Sequence, residues 1–159
     1  AAYLVLPKAR SRIAGYFRLL KKPPAKYNHN GPIHIECRTL RNVVTSAAEA
    51  ETHGVFHNAK LTIPIRHILN QLGHQQINPT KIRTDNSTSA GYVNKNMQLK
   101  KSKTWDMHLH WLRDKELQKH FLVFWEKALK NLADYFTKHH PIIHHRNIRN
   151  TKMYVRDKH

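Results

Sequence analysis

Between Thr80 and Val93 the chain changes its period within two residues. Thr80, Ile82 and Thr84 are β-branched at alternate positions, the pattern of a short strand. Asp85 comes next, then the helix-capping types Asn86, Ser87 and Thr88, then Tyr92 and Val93. A strand that turns straight into a helix points to an α/β fold, in which such corners face the ligand crevice. Asp85 is placed there either to hold a metal ion or to cap the helix.

The elements around this corner follow from the same reasoning. Tyr3-Leu4-Val5-Leu6 and Ile13 to Phe17 flank Lys8, Arg10 and Arg12, a hairpin with a basic connection. Ile33, Ile35 and Cys37 alternate with His34, Glu36 and Arg38, so a third antiparallel strand is expected with the first set inward and Glu36 outward. Ser46-Ala47-Ala48-Glu49 has the form of a capping box. Ala48, Thr52, Val55 and Ala59, then Leu61, Ile65, Ile68, Leu69 and Leu72, recur at helical spacing up to Gly73, with Pro64 between them: one long helix or a broken pair. Beyond the corner, Thr104 can cap a helix that buries Trp105, Leu109, Leu112 and Leu117. Phe121 to Trp125 reads as a buried central strand, and Asn131 to Lys138 as a last helix ahead of Pro141. The three tryptophans, Trp105, Trp111 and Trp125, are expected in the core. Three strands, helix, strand, two helices, strand and helix amount to one mixed sheet flanked by helices.

A chain of 159 residues suits a single domain, here residues 1–140, with a loosely held basic tail over 141–159. Residue 1 is Ala and opens directly on apolar Tyr3-Leu4, so the chain reads as cut from a longer product, inside its first strand. No apolar run reaches the length of a membrane span and the basic start lacks a signal-peptide core, so no membrane partner is expected. One cysteine, Cys37, excludes an internal disulfide and reads as a small buried hydrophobe. A net charge of +18, from 28 Lys and Arg against 10 Asp and Glu, far exceeds what solubility needs and points to nucleic acid. Lys95, Lys100, Lys101, Lys103 and Arg113 are the candidate phosphate contacts, and Asn86, Ser87 and Ser89 are placed to reach sugar hydroxyls or phosphates.

Where positive charge is so abundant, the few acids are informative. Asp106, Asp114 and Glu116 are explained by pairing on a basic helix, and Glu36 by its outward face. That leaves Glu49 or Glu51 early in a helix, Asp85 at a strand end, and Asp134 in the last helix. Asp134 lies about 200° around that helix from Leu132 and Phe136, and Lys138 or Lys130 could pair with it at i,i+4. Two imidazoles at His53 and His57 stand at i,i+4 but lack the Glu of the His-Glu-x-x-His zinc motif.

Ser46-Ala47-Ala48-Glu49-Ala50-Glu51, Thr84-Asp85-Asn86-Ser87 and Asn131-Leu132-Ala133-Asp134-Tyr135-Phe136-Thr137-Lys138 occur in an order and spacing that resemble ribonuclease H, specifically the ribonuclease H region downstream of reverse transcriptase in copia-type retrotransposon polyproteins. Lys101 to Met107 with Trp111 to Asp114 is similar to that family's basic helix segment. The resemblance implies a ribonuclease H-like fold with a mixed five-stranded sheet flanked by helices, cutting the RNA strand of RNA–DNA hybrids with two magnesium ions, manganese being the alternative. It places the catalytic and metal-binding carboxylates at Glu49, Asp85 and Asp134. One ion would activate the attacking water and the other would stabilise the leaving oxygen, and oxygen ligands suit such hard cations. It further implies the reverse-transcriptase portion as a partner and an intracellular setting, cytoplasmic or nuclear, in a retroelement particle. The family carries another Asp on the first strand, just ahead of the segment matched by Ala1-Ala2-Tyr3-Leu4, so this chain by itself is expected to lack one ligand. Two other expectations fit the charge: an inactive nucleic-acid-binding module on the same fold, and a basic structural protein of a ribonucleoprotein particle.

Overall fold

The computed structural model describes residues 1–19, 31–93, 103–127 and 131–152. Five strands and four helices appear in these stretches, and the protein is of mixed α/β class. Strands β1 (Ala2–Leu6), β2 (Arg10–Arg18) and β3 (Pro32–Thr39) form an antiparallel sheet in the order β1-β2-β3. Helix α1 (Ala47–Gln71) leads to β4 (Thr80–Thr84), which continues into α2 (Ser87–Val93) and α3 (Lys103–Leu117). Strand β5 (Phe121–Trp125) then pairs parallel with β4, from Thr80 beside Phe121 to Thr84 beside Trp125. A 3-10 turn at Asp134–Phe136 and helix α4 (Ile142–Lys152) complete the order.

Where one five-stranded sheet is expected, the described strands fall into a three-stranded and a two-stranded sheet. β1 is an edge strand of the three-stranded sheet. Leu4 adopts a left-handed backbone with φ of 53° and the register with β2 shifts between Ala2 and Leu6, so β1 is short and irregular.

Helix α1 joins the two halves. Near its N-terminus, Ala50 packs with Ile13, Leu40 and Val44 beneath the antiparallel sheet. One turn on, Val55 and Ala59 join Val93, Leu109, Leu112, Phe121 and Val123 in a second core beside the parallel pair. Pro64 is accommodated inside one continuous helix, while Ile68 and Leu72 at its far end are exposed. Arg66 fastens that end, donating to the carbonyls of Gln76 (2.6 Å) and Asn78 (2.8 Å) and to the Thr80 hydroxyl (2.8 Å).

Several orientations differ from those expected. α1 lies against the face of β2 that carries Ile13 and Gly15, where the Asn58 amide donates to the Ala14 carbonyl at 3.1 Å. Ile33 and Ile35 are therefore exposed, and Cys37 is exposed too, its thiol donating to the Phe136 carbonyl. β5 buries Phe121 and Val123 on one face, whereas Leu122 on the other face and Trp125 at the strand's end are about half exposed. Glu116 faces inward rather than pairing on the surface, and its carboxylate accepts the Val123 N–H at 2.9 Å. The expected last helix over 131–138 is a turn and a 3-10 segment, and the stretch expected as tail contains α4.

Candidate functional site

The β4–α2 corner holds Asp85 in place through its neighbours. Asn86 caps α2, its side-chain oxygen accepting the Ser89 N–H at 3.0 Å, while its own N–H reaches the Thr84 hydroxyl. Trp125, next to Thr84 across the parallel pair, donates its indole N–H to the Asp85 carbonyl at 3.1 Å. The Asp85 carboxylate makes no hydrogen bond or ion pair among the described residues.

The same corner is latched to the start of α1. The Ser89 hydroxyl lies 3.1 Å from that of Thr52 and 3.2 Å from the Ala48 carbonyl, and Ser89 and Thr52 are both fully buried. Ser89, expected against a nucleic-acid strand, is thus an internal fastening. Ser87 is exposed, and Asn86 and Arg113 are half-buried. Lys95, Lys100 and Lys101 lie outside the described residues, and of Lys103 only the backbone, at the start of α3, is described.

The two acids of α1 take different roles. Ser46 accepts the Glu49 N–H at 3.1 Å, as a capping box requires, but the Glu49 carboxylate accepts from the Thr45 N–H (2.7 Å) and hydroxyl (2.8 Å). Its other oxygen lies 3.9 Å from His53. Glu51, two positions on and so about 200° around the helix, faces another way. It pairs with the Ala1 ammonium. Burial pushes the Glu51 carboxyl above its usual range; the Ala1 ammonium pulls it down, and the negative charges of Asp85 and Asp134 push it up again.

Asp134 reaches this neighbourhood because its turn packs on the antiparallel sheet: Phe136 stacks on Tyr16 at 6.2 Å between ring centres and accepts the Cys37 thiol. Its carboxylate pairs with Lys138 at 2.8 Å and accepts the Thr137 hydroxyl at 3.2 Å. The expected trio was Glu49, Asp85 and Asp134; Asp85 and Asp134 also bear electrostatically on Glu51, the other acid at the start of α1. Sequence offered one signal for this choice: the capping-box pattern already engages Glu49 locally.

As donors these three acids suit a hard divalent ion, being all carboxylate oxygen. They are not gathered around one point: among the described residues no three His, Cys, Asp or Glu side chains stand ready to hold an ion, so binding one would require the three carboxylates to draw together.

A second group of polar residues, not expected from sequence as a unit, lines a groove of about 670 Å³ between the end of β3, the β3–α1 loop, α1 and α3. His53 and His108 meet edge to face at 4.8 Å, and Phe56 stacks on His108 at 4.0 Å. Burial lowers the pKa of His53, His57 and His108, in each case more than any neighbouring charge does.

These features define an α/β protein with an acidic corner and a groove lined by arginine and histidine. No protein-family model, curated protein or solved structure matches the chain. Among the described residues no helix is long and apolar enough to cross a membrane.

Proposed function

We propose that this chain is a ribonuclease H-like domain that hydrolyses the RNA strand of RNA–DNA hybrids, with divalent magnesium or manganese bound at Glu51, Asp85 and Asp134. The observation that supports this reading is electrostatic: the negative charges of Asp85 and Asp134, from elements far apart in sequence, both reach the Glu51 carboxyl and oppose its ionisation. Charge repulsion of this sort is costly to folding and is relieved when a cation binds. Joining the free edges of β1 and β4 would give the mixed five-stranded sheet that the reading requires. A second reading, an inactive nucleic-acid-binding module, is favoured by the cation already on one of the acids, Lys138 on Asp134.

The two readings part in a hybrid-cleavage assay with magnesium, on this chain and on one extended upstream by about ten residues. The nuclease reading expects cleavage by the extended chain, lost in Glu51→Gln, Asp85→Asn and Asp134→Asn and retained in Glu49→Gln. The thermal midpoint should also rise with magnesium, by roughly 1.4 kcal/mol of stability at ten times the dissociation constant, and Asp85→Asn should remove that rise. Cleavage insensitive to Asp85→Asn and Asp134→Asn would refute it. Hybrid binding without cleavage or a magnesium-dependent shift would establish the second reading.

A further inference from the structure

Strand β3 lies at one end of the antiparallel sheet, and no described strand pairs with its far side. Leu40 donates its N–H to the Ser11 carbonyl at 2.8 Å, in the register that sets Arg12 beside Thr39. Backbone groups alternate sides along an antiparallel ladder, so Arg38, Glu36 and His34 turn theirs toward β2, while Thr39, Cys37 and Ile35 turn theirs outward. Among the described residues these outward N–H and C=O groups make no hydrogen bond, and all three residues are exposed. Elsewhere the edges are guarded: β1 is interrupted at Leu4, and on β5 the Glu116 carboxylate takes the outer N–H of Val123. β3 is irregular only toward Pro32, where its register with β2 shifts. Residues 34–39 thus form a regular open edge, the kind that recruits another strand. The sequence of that edge selects the strand. Glu36 and Arg38 stand symmetrically about Cys37, so an antiparallel copy centred there sets each against its opposite charge. Centring on Glu36 would oppose like charges, and centring on Ile35 would draw the irregular end into the pairing.

We propose that two copies of this chain associate through the outer edges of β3, antiparallel and centred on Cys37, joining their three-stranded sheets into one continuous sheet. Cys37 then exchanges main-chain hydrogen bonds with the partner's Cys37, and Ile35 with the partner's Thr39. Glu36 and the partner's Arg38 fall at the closer, non-hydrogen-bonded positions, where Cβ atoms lie about 4.5–5.5 Å apart. The same pair recurs on the other side of the axis. The charge of +18 on each copy opposes the encounter, so association strengthens as salt screens that repulsion, the reverse of what phosphate contacts give. The proposal uses none of Glu51, Asp85 or Asp134, so it stands or falls separately from the nuclease reading.

The test is sedimentation equilibrium of the whole chain with its thiol reduced, at about 0.05 M and about 0.5 M salt. A monomer–dimer equilibrium is expected, tighter at the higher salt. Glu36→Arg or Arg38→Glu alone sets like charges across both pairs and should weaken association roughly tenfold or more. An equimolar mixture of the two variants should recover it, because each then meets the opposite charge only across the interface. That recovery separates a lost contact from a lost fold. A short bismaleimide should link Cys37, the one cysteine of the chain, to the partner's Cys37 in the wild type and in the mixture, and far less in either variant alone. A chain that stays monomeric leaves this edge to a strand of another protein and overturns the proposal. So does a dimer indifferent to Glu36→Arg, or one that the mixture fails to restore.

Discussion

Glu51 shows how one side chain couples folding to pH. Its carboxyl is raised in the folded protein, mainly by burial. A raised carboxyl pKa means that the fold prefers the protonated form, so this contribution to stability is present below the ordinary carboxylate range and is lost as pH rises through the raised value. Glu51→Gln is therefore expected to raise the thermal midpoint at pH 7 and to make no difference near pH 4, measured by circular dichroism. Two glycines respond oppositely to alanine. A Cβ on Gly54 would meet Ile13 at 3.6 Å, an ordinary contact, so Gly54→Ala in mid-helix should stabilise by about 0.5–1 kcal/mol. A Cβ on Gly15 would collide with the Asn58 amide, which must then leave the Ala14 carbonyl, and Gly15→Ala should cost about 1–3 kcal/mol in urea unfolding.

Among the elements, α1 is held by polar fastenings at both ends. Ser89→Ala removes the buried hydroxyl that links α2 to Thr52 and Ala48; a loss of about 1 kcal/mol is expected, with faster amide exchange over 85–90 as the distinguishing readout. Arg66→Ala frees the far end of α1 from the segment before β4 and should cost about 1.5–3 kcal/mol. The β4–α2 corner was legible in the sequence because the residue period itself changes at Asp85, a local signal. The facing of β3 was not, since alternation separates two faces without saying which one α1 will cover; Gly54 against Ile13 and Asn58 against Gly15 decide that through contacts some 40 residues apart. The one-sided burial of β5 was hidden for the same reason, an apolar run carrying no record of what lies on each side.

For the molecule as a whole, the charge was legible and its arrangement was not. Composition predicts a polyanion partner, and hybrid binding should weaken steeply between 50 and 200 mM salt, by roughly a thousandfold or more if six or more phosphates are neutralised. Which α1 acid feels Asp85 and Asp134 is a tertiary property: Glu49 and Glu51 are two residues apart, and beyond the capping-box pattern at Glu49 nothing local separates them. The groove of Arg38, Arg41, His57 and His108 was equally hidden, since it takes residues from β3, the following loop, α1 and α3. The indole of Trp125, tied to the main chain of Asp85 and half open to water, has a practical consequence. With Trp105 and Trp111 replaced by phenylalanine, its fluorescence would report on that corner alone, so occupancy of the acids could be followed optically without any attached dye.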